Sequence, residues 1–65
     1  MLFHIENMEC EGCAKGVTRV INAVDANAKV DADAPKRTVT IETSAARDIV
    51  EEALISAGWD ARDPT

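Results

Sequence analysis

The hydrophobic residues of this chain change their spacing in a set succession, and that succession restricts the fold more than any other feature. Phe3 and Ile5 alternate with His4 and Glu6, a period of two that reads as a strand over residues 2–7. Residues 8–12 read as a turn or loop. Val17, Val20, Ile21 and Val24 then recur at three- and four-residue spacing, the stripe of an amphipathic helix over residues 13–24. Gly16 weakens the start of that helix by about 1 kcal/mol relative to alanine. The turn residues Asp25, Ala26 and Asn27 end it. Ala28, Val30 and Ala32 alternate with Lys29, Asp31 and Asp33 in a second strand, and Val39 and Ile41 alternate with Thr38, Thr40 and Glu42 in a third. Ala34-Pro35-Lys36-Arg37 joins these two strands as a turn, because proline fixes φ and lacks an N–H, so the pair predicts a hairpin. Thr43 or Ser44 is placed to cap a second helix. Ile49, Val50, Ala53, Leu54 and Ala57 would form its buried stripe, and Gly58 sits just past its end. Residues 59–62 read as a short last strand and residues 63–65 as a loose tail.

The resulting order, β-α-β-β-α-β, predicts an α+β fold: a ferredoxin-like βαββαβ sandwich with two helices on one face of a four-stranded antiparallel sheet. The polar strand residues, His4 and Glu6 among them, then belong on the open face. One domain over residues 1–65 is expected, since so short a chain builds one thin core and leaves no room for a deep substrate cavity. The only aromatic residues are Phe3 and Trp59, so Val, Ile, Leu and Ala must supply that core.

Twelve acidic against seven basic residues give a net charge of −5, which argues against nucleic acid, because phosphate neutralisation needs a basic surface. The acidity leaves two uses, solubility and attraction to a basic partner. No stretch approaches the roughly 20 apolar residues of a membrane span, so no membrane insertion is expected. The chain opens Met-Leu-Phe-His-Ile-Glu, without a basic start or a long apolar run. A free-standing protein in the cytoplasm is therefore expected, where thiols stay reduced.

The chain's two cysteines form a single Cys-x-x-Cys, Cys10 and Cys13. This spacing draws one thiol from the loop and one from the start of the helix, and both can face one centre. Unpaired N–H groups at a helix N-terminus favour the thiolate, the form that binds metal. Lys15 acts in the same direction, and Glu9 and Glu11 act against it. Two thiolates satisfy a soft d¹⁰ ion such as copper(I). A structural zinc(II) site needs four ligands, and only His4 and carboxylates remain to complete one. The alternatives for such a pair are dithiol redox chemistry and two unrelated free thiols. A redox pair of the thioredoxin kind has an aromatic before the first cysteine and a proline between the two, whereas Glu9 precedes this pair and Glu11-Gly12 separates it.

Met8-Glu9-Cys10-Glu11-Gly12-Cys13 resembles the Met-x-Cys-x-x-Cys loop of the heavy-metal-associated (HMA) domain, and bacterial copper chaperones in particular. The resemblance extends over nearly the whole chain, from the first strand to Ala57-Gly58-Trp59. It implies the βαββαβ fold, Cys10 and Cys13 as the metal ligands, and Met8 as a residue that packs inward and shapes the loop. Trp59 falls where bacterial copper chaperones typically have Tyr and transporter domains often have Phe, so a role for a phenol hydroxyl does not carry over. It reads as a bulky residue that closes the core beside the loop. Some zinc-transporting members have an Asp just before the first cysteine, where it is a ligand. Glu9 occupies that position here and is read as solvent-exposed, as is His4 on its strand.

These readings together predict a non-enzymatic copper(I) metallochaperone that hands its ion by thiolate exchange to a metal-transporting P-type ATPase or its metal-binding domain. Three alternatives stand beside it: a zinc(II) or mercury binder of the same fold, a regulatory metal-binding domain of a transporter, and a dithiol oxidoreductase. Exposed cysteine pairs also admit a metal-dependent homodimer.

Overall fold

A computed structural model of the chain describes residues 1–63. Its elements are β1 (Leu2–Ile5), α1 (Glu11–Val24), β2 (Lys29–Asp33), β3 (Thr38–Glu42), α2 (Arg47–Ser56) and β4 (Ala61–Arg62). The four strands form one sheet in the order β2-β3-β1-β4, with every neighbouring pair antiparallel. This is the expected ferredoxin-like arrangement. Of the expected tail, residues 64–65 lie outside the described residues.

Register carries the alternation in the sequence directly into two faces. Phe3 and Ile5 of β1 and Val39 and Ile41 of β3 are buried against Val17 and Ile21 of α1 and Val50 and Leu54 of α2. Each such side chain, fully buried, is worth about 1.5–3 kcal/mol of transfer free energy, so these few residues dominate the stability of a small fold. The opposite face pairs Leu2 with Thr40 and His4 with both Thr38 and Arg62. His4 is thus on the open face, as its alternation requires.

The second helix departs from expectation at its start. Its N-cap is Ala46, which makes no side-chain cap bond, so neither Thr43 nor Ser44 caps it. The Thr43 hydroxyl is committed elsewhere: it accepts from the Ala45 N–H at 3.1 Å and donates to Asp25 Oδ2 at 2.6 Å. Asp25 also accepts from the Asn27 N–H, and these bonds, the Thr43 hydroxyl first, hold its carboxyl below the usual carboxylate value. The turn after α1 is thereby tied to the turn before α2. The inward line of α2 runs through Arg47, Val50 and Leu54, with the Arg47 guanidinium 4.1 Å from the centroid of the Phe3 ring. Ile49 lies off that line and is 55% exposed, and Ala57 is exposed too, so neither belongs to the buried stripe. Gly58 has φ 95° and continues the chain past the helix in a conformation that glycine adopts freely.

Three segments meet at one end of the sheet: the loop between β1 and α1, the β2–β3 turn, and the residues between α2 and β4. The first strand ends at Ile5, two residues earlier than its alternation indicates, and the last begins at Ala61 and not at Trp59. Side-chain bonds replace the missing ladder. Asn7 Nδ2 donates to the Gly58 carbonyl at 3.0 Å, and Asn7 Oδ1 accepts from the Asp60 N–H at 2.9 Å. On the other side, Arg37 closes the β2–β3 turn with φ 56°. A non-glycine residue in that left-handed region costs roughly 1–2 kcal/mol.

Candidate metal centre

The loop that carries the cysteines is anchored from below. Met8 is fully buried and belongs to the core, and its N–H donates to the Ile5 carbonyl at 3.1 Å. The inward packing expected of Met8 is what the structure shows. Its backbone lifts the next residues toward solvent: Glu9 and Cys10 are exposed.

The first helix starts at Glu11, two residues before the start read from hydrophobic spacing, and this changes the setting of both thiols. Cys10 is the N-cap residue, in extended backbone conformation, and its Sγ accepts from the Cys13 N–H at 3.3 Å. That is the bond a Ser or Asp cap makes to the third helical residue, with sulfur in place of oxygen. Periodicity missed this turn because Glu11 and Gly12 are exposed and add nothing to the buried stripe. Cys10 and Cys13 therefore sit on one helical turn, with Sγ–Sγ 3.0 Å and both sulfurs free of disulfide linkage. Cys10 faces solvent and Cys13 is half-buried.

The Cys13 thiol is held below its ordinary value. The hydrogen bond from Cys10 is the largest cause and the backbone at Glu9 the next, while partial burial and the Glu9 charge push the other way. The competition left open by the mixed charges around the loop thus falls on the side of the thiolate. Because the folded value is depressed, the thiolate persists below the pH at which an ordinary thiol protonates, and it is lost as pH falls through the folded value. The alkylation rate of Cys13, followed by mass spectrometry against pH, should show a midpoint below that of a free thiol. Cys10→Ala should move it upward, since it removes the largest cause. Identical midpoints in the two proteins would contradict this coupling.

Neither of the further donors weighed from the sequence joins the thiols. Glu9 Oε1 lies 3.9 Å from Arg37 Nη2. His4 Nδ1 lies 3.7 Å from Glu6 Oε2. Among the described residues, no group of three or more His, Cys, Asp or Glu side chains is placed to hold a metal ion. Trp59 packs beside the site: a methyl group added at Gly16, one turn on from Cys13, would come within 3.0 Å of Trp59 Cζ2. A glycine inside a helix and the chain's one tryptophan therefore explain each other. Asn7 and Arg37, which brace the loop from its two sides, were not singled out by sequence reasoning.

Known proteins share this fold. Over 95% of each chain, the structure matches that of a gold-binding protein with 44% identity and a TM-score of 0.93. It matches the copper chaperone Atx1 from Synechocystis with 29% identity and a TM-score of 0.91, covering 95% of this chain and 98% of the other. The COP-associated protein of Helicobacter pylori is 28% identical over 60 residues, 89% of this chain and 91% of that protein. The model of the heavy-metal-associated domain matches residues 2–58, and with that match spanning all but the ends of the fold, the chain belongs to the heavy-metal-associated domain family.

Proposed function

We propose that this chain is a metallochaperone that carries one copper(I) ion between Cys10 and Cys13. The observation that carries this reading is the pair of free thiols brought together on one helical turn, Sγ–Sγ 3.0 Å, with no group of three or more His, Cys, Asp or Glu side chains placed to hold a metal ion among the described residues. Two thiolates suffice for a soft monovalent d¹⁰ ion and fall short of what zinc(II) requires. The depressed Cys13 value favours the thiolate, the form that binds metal.

The same features suit transfer. In this reading the chain acts by binding and release and not by catalysis, in keeping with its similarity to a copper chaperone. A thiolate of the partner adds to the bound ion, one of the chain's two thiolates leaves and takes up a proton, and a second exchange completes the passage. The exposed Cys10 is the side an incoming ligand can reach. The partner in this reading is the metal-binding domain of a P-type ATPase, met in the cytoplasm. No helix among the described residues is long and apolar enough to cross a membrane. A net charge of −5 favours a basic patch around the partner's own thiols.

One observation supports a second cargo. The 44% identity to a gold-binding protein makes gold(I), an ion as soft as copper(I) and satisfied by two sulfurs, the competing reading. Anaerobic competitive titration of the reduced protein with copper(I), gold(I) and zinc(II) decides among them. One tightly held copper(I) per chain, and zinc displaced by it, is the expected result. Preference for zinc would overturn the two-thiolate reading, and preference for gold would keep the site and change the cargo.

A further inference from the structure

Arg37 is a strained residue far from the cysteines in sequence, yet its side chain lies against their loop. Its φ of 56° is one that glycine adopts more easily. Its backbone is fully used, with the N–H on the Ala34 carbonyl and the carbonyl accepting from Ile5 at 2.7 Å. From that fixed base Nη1 donates to the Glu6 carbonyl and to Glu6 Oε1, both at 3.2 Å, and Nη2 lies 3.9 Å from Glu9 Oε1. Glu9 immediately precedes Cys10. Its carboxylate is the hard oxygen donor that would extend a two-thiolate site toward the higher coordination zinc(II) needs. In this structure it is turned toward the β2–β3 turn.

We propose that Arg37 is a specificity-determining positioning residue: by holding the Glu9 carboxylate on the β2–β3 turn, it keeps the site at two thiolates and disfavours zinc(II). This rests on the two-thiolate reading above. Copper(I) gains little from a hard third donor, so the hold should affect the two metals unequally. A strained backbone at a position that reaches into a functional loop is where such a device is expected.

The test is anaerobic zinc(II) and copper(I) competition titration of the full chain in four forms: wild type, Arg37→Gly, Glu9→Gln and the double variant. Glycine accepts φ 56° without strain, so Arg37→Gly should fold, and Arg37→Asn, whose side chain also tolerates this region, should give the same result. Arg37→Gly is expected to tighten zinc binding by about threefold to fivefold, the scale an exposed ion pair allows, with copper(I) affinity unchanged. Glu9→Gln alone should alter neither metal. The double variant should bind zinc as the wild type does. Unchanged zinc affinity in Arg37→Gly would overturn the proposal, and so would a gain that survives Glu9→Gln. Failure of the wild type to bind copper(I) would strike the carrier reading instead, and it is visible in the first titration.

Discussion

Replacing either Cys10 or Cys13 with serine is expected to abolish tight copper(I) binding and leave the fold in place. A serine hydroxyl is a hard, poorly ionised donor, and one remaining thiolate cannot satisfy the ion alone. The loss should far exceed the roughly 10- to 100-fold that removal of an outer-shell partner costs at metal sites. The fold should tolerate both changes because neither thiol is among the fully buried residues. Cys10→Ser should be the milder of the two for stability, because the N-cap sulfur is exchanged for an oxygen that caps at least as well. Competition against a copper(I) chelator measures the first effect, and thermal unfolding followed by circular dichroism measures the second. Tight binding retained in either single variant would show that the site is not a two-thiolate site. Unfolding of both variants would show that the thiols serve the core instead.

The order of elements and the inward-facing residues of the strands were legible because both follow from local periodicity. Phe3, Ile5, Val39 and Ile41 alternate on the sheet, and Val17 and Ile21 repeat on α1, wherever the rest of the chain lies. Boundaries were less legible because side chains from elsewhere decide them. The first strand stops where Asn7 begins to bond Gly58 and Asp60, more than fifty residues away in sequence. The second helix lacks its expected cap because Thr43 bonds Asp25, which lies at the far end of α1. Arg47 lies over the Phe3 ring on the inward side of that helix, and Ile49 falls outside it. The candidate ligands were legible from two cysteines at one spacing. Their supports were not: Arg37 meets Glu6 and Glu9 only after a hairpin has folded back on the first strand. Gly16 could have been paired with Trp59, read from the sequence as the bulky residue beside the loop, on the argument that a helix glycine so near the site makes room for a large side chain.

Met8 joins the core to the cysteine loop, and its variants should separate packing from coordination. Its side chain is fully buried among the core residues, two positions before Cys10. Truncation to alanine removes that packing and leaves a cavity under the loop, so Met8→Ala should cost roughly 2–5 kcal/mol. That is a large share of the 5–15 kcal/mol by which a typical domain is stable, and in a chain this short it should lower Tm by at least about 10 °C. Copper(I) affinity should fall along with stability, since the loop that sets the two sulfurs 3.0 Å apart loses its anchor. Met8→Leu tests the cause. Leucine keeps most of the volume and costs under about 1.5 kcal/mol, but it has no sulfur. If Met8 only packs, Met8→Leu should bind copper(I) as the wild type does. A Met8→Leu protein of near-native Tm that binds copper(I) at least tenfold more weakly would instead assign the thioether to the metal. It would also mean that the loop opens on loading far enough to bring a buried sulfur to the surface.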